Sequence, residues 1–155
     1  MYELVEEASK VLRFPTEKYD FSAKDAVKNA KELEEKLIEC METNRGMGLS
    51  ANQVGVNAQV FVMGTQDKGS VGFFNPEIIR ASVEADNMKE GCLSFPDMYV
   101  MIKRSKVVEL KYQDSDGEEH TLTLEGMASR CVQHECDHLN GIIFLQRASR
   151  LKIER

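Results

Sequence analysis

The chain has 155 residues, of which 30% are charged, and its formal net charge at pH 7 is −6. This length predicts a single domain over residues 1–155, because a chain of this size buries roughly 70% of its extended surface on folding. The acidic balance argues against a nucleic-acid-binding surface, since neutralising phosphates requires an excess of Lys and Arg along one face.

The first residues, MYELVEEASKVLRF, contain neither a basic leader nor an uninterrupted apolar run. We therefore expect no secretory signal and no membrane span, and we expect a cytoplasmic location. Thiols stay reduced in that compartment, so metal binding or burial is a better explanation than disulfides for the four cysteines. These are Cys40, Cys92, Cys131 and Cys136.

The first predicted element is a long amphipathic helix from Ser22 to Asn44. Ser22 is a suitable N-cap, and apolar residues recur after it at three- or four-residue spacing. They are Ala26, Ala30, Leu33, Leu37 and Met41. Gly46 and Gly48 end the helix, and the stretch GMGLSANQVG that begins at Gly46 is predicted to be a loop.

Short β-branched and aromatic runs, separated by turn residues, predict a series of strands beyond residue 58. The predicted strands lie near 58–64, 70–75, 77–84, 99–104, 105–113 and 118–124. Asp116-Gly117 is a hairpin turn sequence that joins the last two. A second helix is predicted after Gly126 to about Asn140, with Gly141 as its stop, followed by a short strand and a basic tail. Two helices flanking antiparallel strands predict an α+β fold.

An HExxH motif, from His134 to His138, lies inside the predicted second helix. Residues four apart share one helical face, so the two imidazoles can bind one metal ion while Glu135 reaches the water bound to it. A catalytic site of this kind needs a third protein ligand. Phe144 stands where one protease group has a third His, and Glu154 is a weak candidate for the downstream Glu of another group.

The third ligand can also lie upstream, where the His and Cys candidates are Cys40, Cys92, His120 and Cys131. Cys131, one helical turn before the motif, is predicted to form a pocket wall. Cys40 lies beside the apolar stripe and is expected to be buried, and Cys136 is rotated away from the metal face. Cys92 is the best candidate on spacing, because the neighbouring Gly91 allows close backbone approach.

Three stretches together resemble peptide deformylases: GMGLSANQVG (46–55), EGCLS (90–94) and QHECDHLNG (133–141). The family pattern joins a GxGLAAxQxG loop, an EGCLS segment and a QHExDHLxG helix in the same order. GMASR at 126–130 also matches, and Arg104 stands where the family often has an Arg near the substrate cleft. The resemblance implies antiparallel sheets packed around a central metal-binding helix, with a long N-terminal helix.

The sequence departs from the family pattern at a few places. Ser50 and Ser129 each replace a more usual Ala, and the chain ends soon after the metal helix. Many bacterial relatives add a C-terminal helix there. The short ending is similar to compact versions of the family, including some carried by bacteriophages.

The resemblance implies that the protein removes the formyl group from the N-terminal formyl-methionine of nascent polypeptides. The implied ligands of one divalent ion are Cys92, His134 and His138. The ion is expected to be Fe(II), although Zn, Ni and Co also suit such a ligand set. Glu135 is the implied general base and later the acid, while the Gln53 amide and the Leu93 backbone N–H receive the negative charge that grows on the formyl oxygen.

An apolar pocket for the methionine side chain is predicted from Met47, Phe95, Met127 and Cys131. Exposed backbone around Gly46 to Gly48 and at Gly91 could pair with the extended peptide as an added strand. Glu90 and Asp137 either orient the histidines or form surface ion pairs, and the sequence leaves both interpretations open. We expect nascent formyl-methionyl chains at the ribosome as partners, no binding to nucleic acid or membrane, and a monomer.

Two other functions fit parts of the pattern. One is an HExxH metallopeptidase that cuts internal peptide bonds, which the missing third His and the EGCLS segment disfavour. The other is a deformylase-like domain that keeps the metal as a structural clamp or binds nascent chains. Intact Glu135 and Gln53 disfavour it, because a closed structural site needs four protein ligands and no acid-base residue.

Overall fold

Two α-helices and two antiparallel sheets form the part of the chain that the computed structural model describes, which is residues 1–7 and 9–154, with only the backbone described for 149–154. This confirms a mixed α and β class with antiparallel sheets. The helices are α1 (Ala26–Thr43) and α2 (Gly126–Leu139). The strands are β1 (Gly48–Ser50), β2 (Val60–Thr65), β3 (Gly69–Ala81), β4 (Ala85–Cys92), β5 (Phe95–Ser105), β6 (Val107–Gln113), β7 (Glu119–Glu125) and β8 (Ala148–Glu154). Short 3₁₀ turns occupy Lys10–Arg13, Ala51–Val54 and Phe144–Arg147.

The first sheet has the strand order β1-β2-β3-β6-β7, and the second has the order β4-β5-β8. Strand β3 joins two halves of the first sheet, since residues 69–74 pair with β2 and residues 74–81 pair with β6. The prediction of separate strands at 70–75 and 77–84 is therefore wrong. Asn75 has a positive φ of 50° and the register shifts beside it, so the chain bends without leaving the sheet.

Helix α1 begins at Ala26, four residues after the predicted N-cap. Ser22 instead closes a local turn, in which its backbone N and its Oγ both donate to Asp20 Oδ1, at 2.9 and 2.6 Å. Asp25, with φ 59°, is left-handed and separates that turn from the helix. The predicted apolar stripe is buried as expected, and it packs on strands β1 and β2.

Two strands lie where none was predicted. Strand β1 is part of the stretch predicted to be a loop, and β4 falls between the predicted strands. The sequence of β4, ADNMKEGC, is mostly polar and exposed, and residues of this kind are depleted in strands. Pairing with β5 nevertheless holds it extended, since β5 has the inward and outward alternation of a half-buried strand.

Helix α2 lies between the sheets, where it contacts β1, β2 and β7 of the first and β5 of the second. Its inner face buries Val132, Cys136 and Leu139 against the stacked rings of Phe61 and Phe73. Full burial of one such aromatic side chain contributes roughly 1.5–3 kcal/mol. Cys136 faces the core, away from the two histidines, as predicted. The predicted burial of Cys40 beside the apolar stripe of α1 is also confirmed.

In the described part of the chain, neither helix combines the length and the apolar character needed to cross a lipid bilayer.

Candidate active site

A two-residue turn between β4 and β5 follows directly after the candidate sulfur ligand, Cys92. Cys92 pairs with Phe95, so Leu93 and Ser94 form the turn between them. The β4 strand on one side and this tight turn on the other fix the backbone of Cys92. The sequence could not show this turn, because β4 was not predicted.

The three predicted metal ligands converge in the structure. The Nε2 atoms of His134 and His138, one turn apart on α2, are 3.1 Å from each other, and Cys92 Sγ is 3.2 Å from His138 Nε2. All three ligand atoms lie within 4.8 Å of one another. Cys92 on β4 precedes His134 on α2 by 42 residues, so tertiary packing brings its sulfur to the two histidines.

The chemistry of this donor set fits a transition-metal ion. His134 Nδ1 is 2.9 Å from the Glu90 carboxylate, which can only accept when ionised, so Nδ1 carries a proton and Nε2 is the nitrogen that faces the other donor atoms. Burial opposes protonation of His134, but its contacts with Cys92 and Glu90 outweigh burial and raise its pKa to about 10, so an ion bound at Nε2 would displace a proton. Burial lowers the pKa of His138 well below its usual value, which favours the neutral imidazole that binds metals. Two imidazole nitrogens and a sulfur directed at one buried point are the ligands that Fe, Zn, Ni and Co prefer.

Glu90 is the centre of a buried charge network behind His134. Its carboxylate accepts from Arg104 Nε and Nη2, at 2.8 and 3.0 Å, and also from Arg130 Nη1. Burial opposes its ionisation, but the hydrogen bonds from His134 and Arg104 outweigh that effect and lower the pKa of Glu90 to about 2. Glu90 is thus a charged partner that orients His134, and the interpretation as a surface ion pair is wrong.

Arg104 does not lie where a substrate-binding residue would. It is 5% exposed, is absent from the lining of the cleft, and donates through Nη1 to Asp137 Oδ2 at 2.6 Å. It follows Val100 and Ile102 on the inward face of β5, so the strand alternation directs it toward α2. Arg147 approaches the same Asp137 carboxylate with Nε and Nη2, at 3.1 and 3.0 Å. The structure therefore corrects the predicted substrate role of Arg104. Its guanidinium instead links β5 to helix α2.

Glu135 faces the cleft from α2 and is 3% exposed. Within the described residues its Oε2 atom is buried and has no hydrogen-bond partner. Burial raises the pKa of Glu135 to about 7, so the carboxyl can both accept and release a proton near neutrality. Gly48 is required opposite it, because a Cβ there would lie 2.9 Å from Cys131 Sγ and 3.2 Å from Glu135 Oε1.

The amide of Gln53 is held on the other side of Cys92. Gln53 Oε1 accepts from the backbone N of Ser50 at 3.0 Å, and since a backbone N–H is only a donor, the amide nitrogen must point the opposite way. That nitrogen donates to Ser94 Oγ at 2.9 Å and lies 3.6 Å from Cys92 Sγ. The donor therefore faces the point where the metal ligands meet.

A cleft of about 560 Å³ opens in front of these groups. The residues that line it include the predicted candidates Met47, Gly48, Gly91, Leu93, Phe95, Met127 and Cys131. Met47 and Met127 are 59% and 45% exposed, so they lie at the mouth, whereas Phe95 is buried in the wall. Burial raises the pKa of the Cys131 thiol, which keeps it a neutral part of the wall.

Comparison with known proteins identifies the family. A family model described as polypeptide deformylase matches residues 1–154. The chain belongs to the polypeptide deformylase family. A peptide deformylase of Thermotoga maritima is 45% identical over 124 residues, which is 80% of this chain and 75% of that protein.

Solved structures of the family share the fold. The crystal structure of the Thermotoga maritima peptide deformylase has a TM-score of 0.85 at 41% identity, and covers 97% of this chain and 99% of its own. A probable peptide deformylase from Synechococcus phage S-SSM7 has a TM-score of 0.87 at 34% identity, with 95% and 99% covered. The predicted family is confirmed, and the chain is a hydrolase that removes the N-terminal formyl group from nascent polypeptides.

Several residues that support this deformylase site were not predicted. Ser94 belongs to the EGCLS segment, and Arg130 to the GMASR run, but neither was assigned a role. Asn52 is 2% exposed and donates from Nδ2 to the His138 backbone O at 2.7 Å, so it joins the 3₁₀ turn at Ala51–Val54 to the end of α2. The sequence clue for Asn52 was its place directly before Gln53 in the GMGLSANQVG stretch.

Proposed function

We propose that the chain is a single catalytic domain that releases formate from N-terminal formyl-methionine, using one divalent ion bound by Cys92, His134 and His138. The convergence of these three donor atoms beside Glu135, at the inner end of an apolar cleft, carries the proposal. The working ion is proposed to be Fe(II), and the ligand set also suits Zn, Ni and Co. When bound, such an ion supplies a Lewis acid that lowers the pKa of water to about 7 and polarises a carbonyl oxygen.

Glu135 performs the proton transfers in this proposal. Its Oε2 atom has no partner among the described residues and faces the cleft, so it can accept the proton of the attacking water. The same carboxyl then donates that proton to the departing amine nitrogen, as formate leaves. A pKa of about 7 suits both steps, since neither protonation state is strongly disfavoured near neutrality.

Gln53 stabilises the negative charge that develops on the formyl oxygen. Its Nε2 points past Cys92 toward the metal ligands, and the backbone N–H of Leu93 is proposed as the second donor. A donor of this kind acts mainly in the transition state, and its loss typically reduces turnover by ~10²- to 10³-fold. Its fixed orientation means that little reorganisation accompanies the reaction.

The proposed substrate binds as an extended peptide between two edge strands. Strand β1, with Gly48, is the last strand of the first sheet, and β4, with Gly91, is the first of the second. Both glycines line the cleft, so the peptide backbone can pair there while the methionine side chain enters the apolar part. The enzyme is proposed to act as a cytoplasmic monomer on chains leaving the ribosome, without binding nucleic acid.

The first prediction tests this function with formyl-Met-Ala-Ser, measured as formate release, and with an internally quenched peptide. We expect wild type to release formate, Glu135→Gln to reduce kcat by at least ~10²-fold, and neither to cleave the internal bond. Metal stoichiometry should be equal in both, because Glu135 is not a ligand. Glu35→Gln on the exposed face of α1 is the matched control and should keep full activity. Internal cleavage, or undiminished formate release by Glu135→Gln, would contradict the proposal.

A further inference from the structure

The hydroxyl of Ser50 occupies a position where the family pattern has Ala. Ser50 is the last residue of β1 and is 0% exposed. Its Oγ lies 2.8 Å from Asn52 Oδ1 and 3.0 Å from Gln53 Oε1. A buried hydroxyl thus contacts the carboxamides of two residues in the active-site turn.

The contacts of those two amides fix which atoms face Ser50. Gln53 Oε1 also accepts the backbone N–H of Ser50, and Asn52 Nδ2 donates to the His138 backbone O. Both amide oxygens therefore face the Ser50 hydroxyl, which has one proton to donate and serves both acceptors. The hydroxyl connects the amide next to Cys92 with the side chain that is attached to the end of α2.

We propose that Ser50 is a positioning residue that holds the Gln53 carboxamide in its reactive orientation. Through Asn52, the same hydroxyl connects this carboxamide to the end of helix α2. The inference rests on the proposed role of Gln53 in charge stabilisation. Without the hydroxyl, Gln53 Oε1 keeps one donor, the backbone N–H, and Asn52 Oδ1 loses the donor from Ser50. A buried acceptor without a donor is costly, so Asn52 is expected to shift and the Gln53 amide to lose its defined position.

Ser129 provides a matched control. It is also a 0% exposed serine at a position where the family pattern has Ala, and its Oγ donates to the Ser105 backbone O at 2.9 Å. Within the described part of the chain it makes no hydrogen bond to Gln53 or Cys92, and it does not line the cleft. Ser50→Ala and Ser129→Ala therefore remove the same group from equally buried sites, and only the first touches the reactive amide.

The test measures kcat and KM for formyl-Met-Ala-Ser in Ser50→Ala, Ser129→Ala, Gln53→Leu and the double variant Ser50→Ala/Gln53→Leu. We expect Ser50→Ala to lower kcat by roughly 3- to 10-fold, with KM and bound metal unchanged within twofold, since one hydrogen bond is worth about 1 kcal/mol. Ser129→Ala should stay within twofold of wild type. Ser50→Ala should have no further effect on kcat in the Gln53→Leu background, because the group it positions is gone.

The possible failures are distinguishable. If wild type releases no formate, or Gln53→Leu keeps full kcat, the proposed function or the role of Gln53 is overturned. If those hold but Ser50→Ala lowers kcat no more than Ser129→Ala, the Ser50 inference alone is overturned. The same follows if the two substitutions in the double variant multiply, since a general loss of stability would act independently of Gln53. Ala is the family's usual residue at both serine positions, so we expect both variants to fold.

Discussion

The two sides of the active site are held by different forces. Behind the histidines, charged side chains form a continuous network in which the carboxylates of Glu90 and Asp137 are paired with arginines. Around Gln53, neutral hydroxyls and amides make the contacts. A buried ion pair is very sensitive to the loss of one partner, whereas a neutral hydrogen bond contributes only about 1 kcal/mol. The metal side is therefore expected to be sensitive to charge and pH, and the amide side to be tolerant.

The largest expected loss of stability comes from removing the buried ion pairs of Arg104. Arg104→Leu leaves two buried carboxylates without their shared guanidinium, so we expect the free energy of unfolding to fall by roughly 3–5 kcal/mol, measured by urea denaturation. Arg80→Leu is the control, because Arg80 is an exposed strand residue whose nitrogen is 3.8 Å from Glu109, and it should change stability by less than about 0.5 kcal/mol. Equal losses in the two variants would remove the distinction between buried and exposed pairs.

The pH dependence of stability also distinguishes the charged side of the site from the neutral side. The folded-state pKa of Glu90 is about 2, below its usual 4.5, so its contribution is fully present above pH 4.5 and is lost as the pH falls toward 2. A shift of this size corresponds to on the order of 3 kcal/mol. Urea denaturation between pH 6 and pH 2.5 should show this loss in wild type, and a shallower fall in Glu90→Gln. A parallel fall in both would show that other carboxylates govern acid unfolding.

The smallest expected effect lies on the neutral side, at Ser94. Ser94→Ala removes the acceptor of Gln53 Nε2, so we expect a loss of about 1 kcal/mol in unfolding free energy that is the same at pH 5 and pH 8, because no charge is involved. Bound metal should not change. A pH-dependent loss, or loss of the metal, would mean that the two sides are not separate.

The three side chains that converge in the structure could be picked out from the sequence because each belongs to a short local pattern. His134 and His138 are related by helical spacing alone, and Cys92 belongs to a short family segment. The mixed fold class followed from element order. By contrast, β4 was missed because its residues are polar, and its extended form depends on pairing with β5, which single-residue propensities do not contain.

The role of Arg104 could not be predicted for a related reason. The family resemblance placed it near the substrate cleft, but its orientation depends on the alternation along β5, whose inner face ends in a charged residue. Two acidic partners from β4 and α2 make that burial possible. Such partners meet only through tertiary packing, so no sequence spacing encodes them. Ser50 was noted only as a departure from a pattern, since its two acceptors become visible only with side-chain geometry.

In the proposed binding mode the substrate lies between β1 and β4, which are edge strands of different sheets. In the described part of the chain the two sheets share no strand pairing. A peptide that pairs with both edges would act as a temporary ninth strand and fasten them together. Occupancy would then resist unfolding of the whole domain, and release of the product would require that fastening to open along both edges.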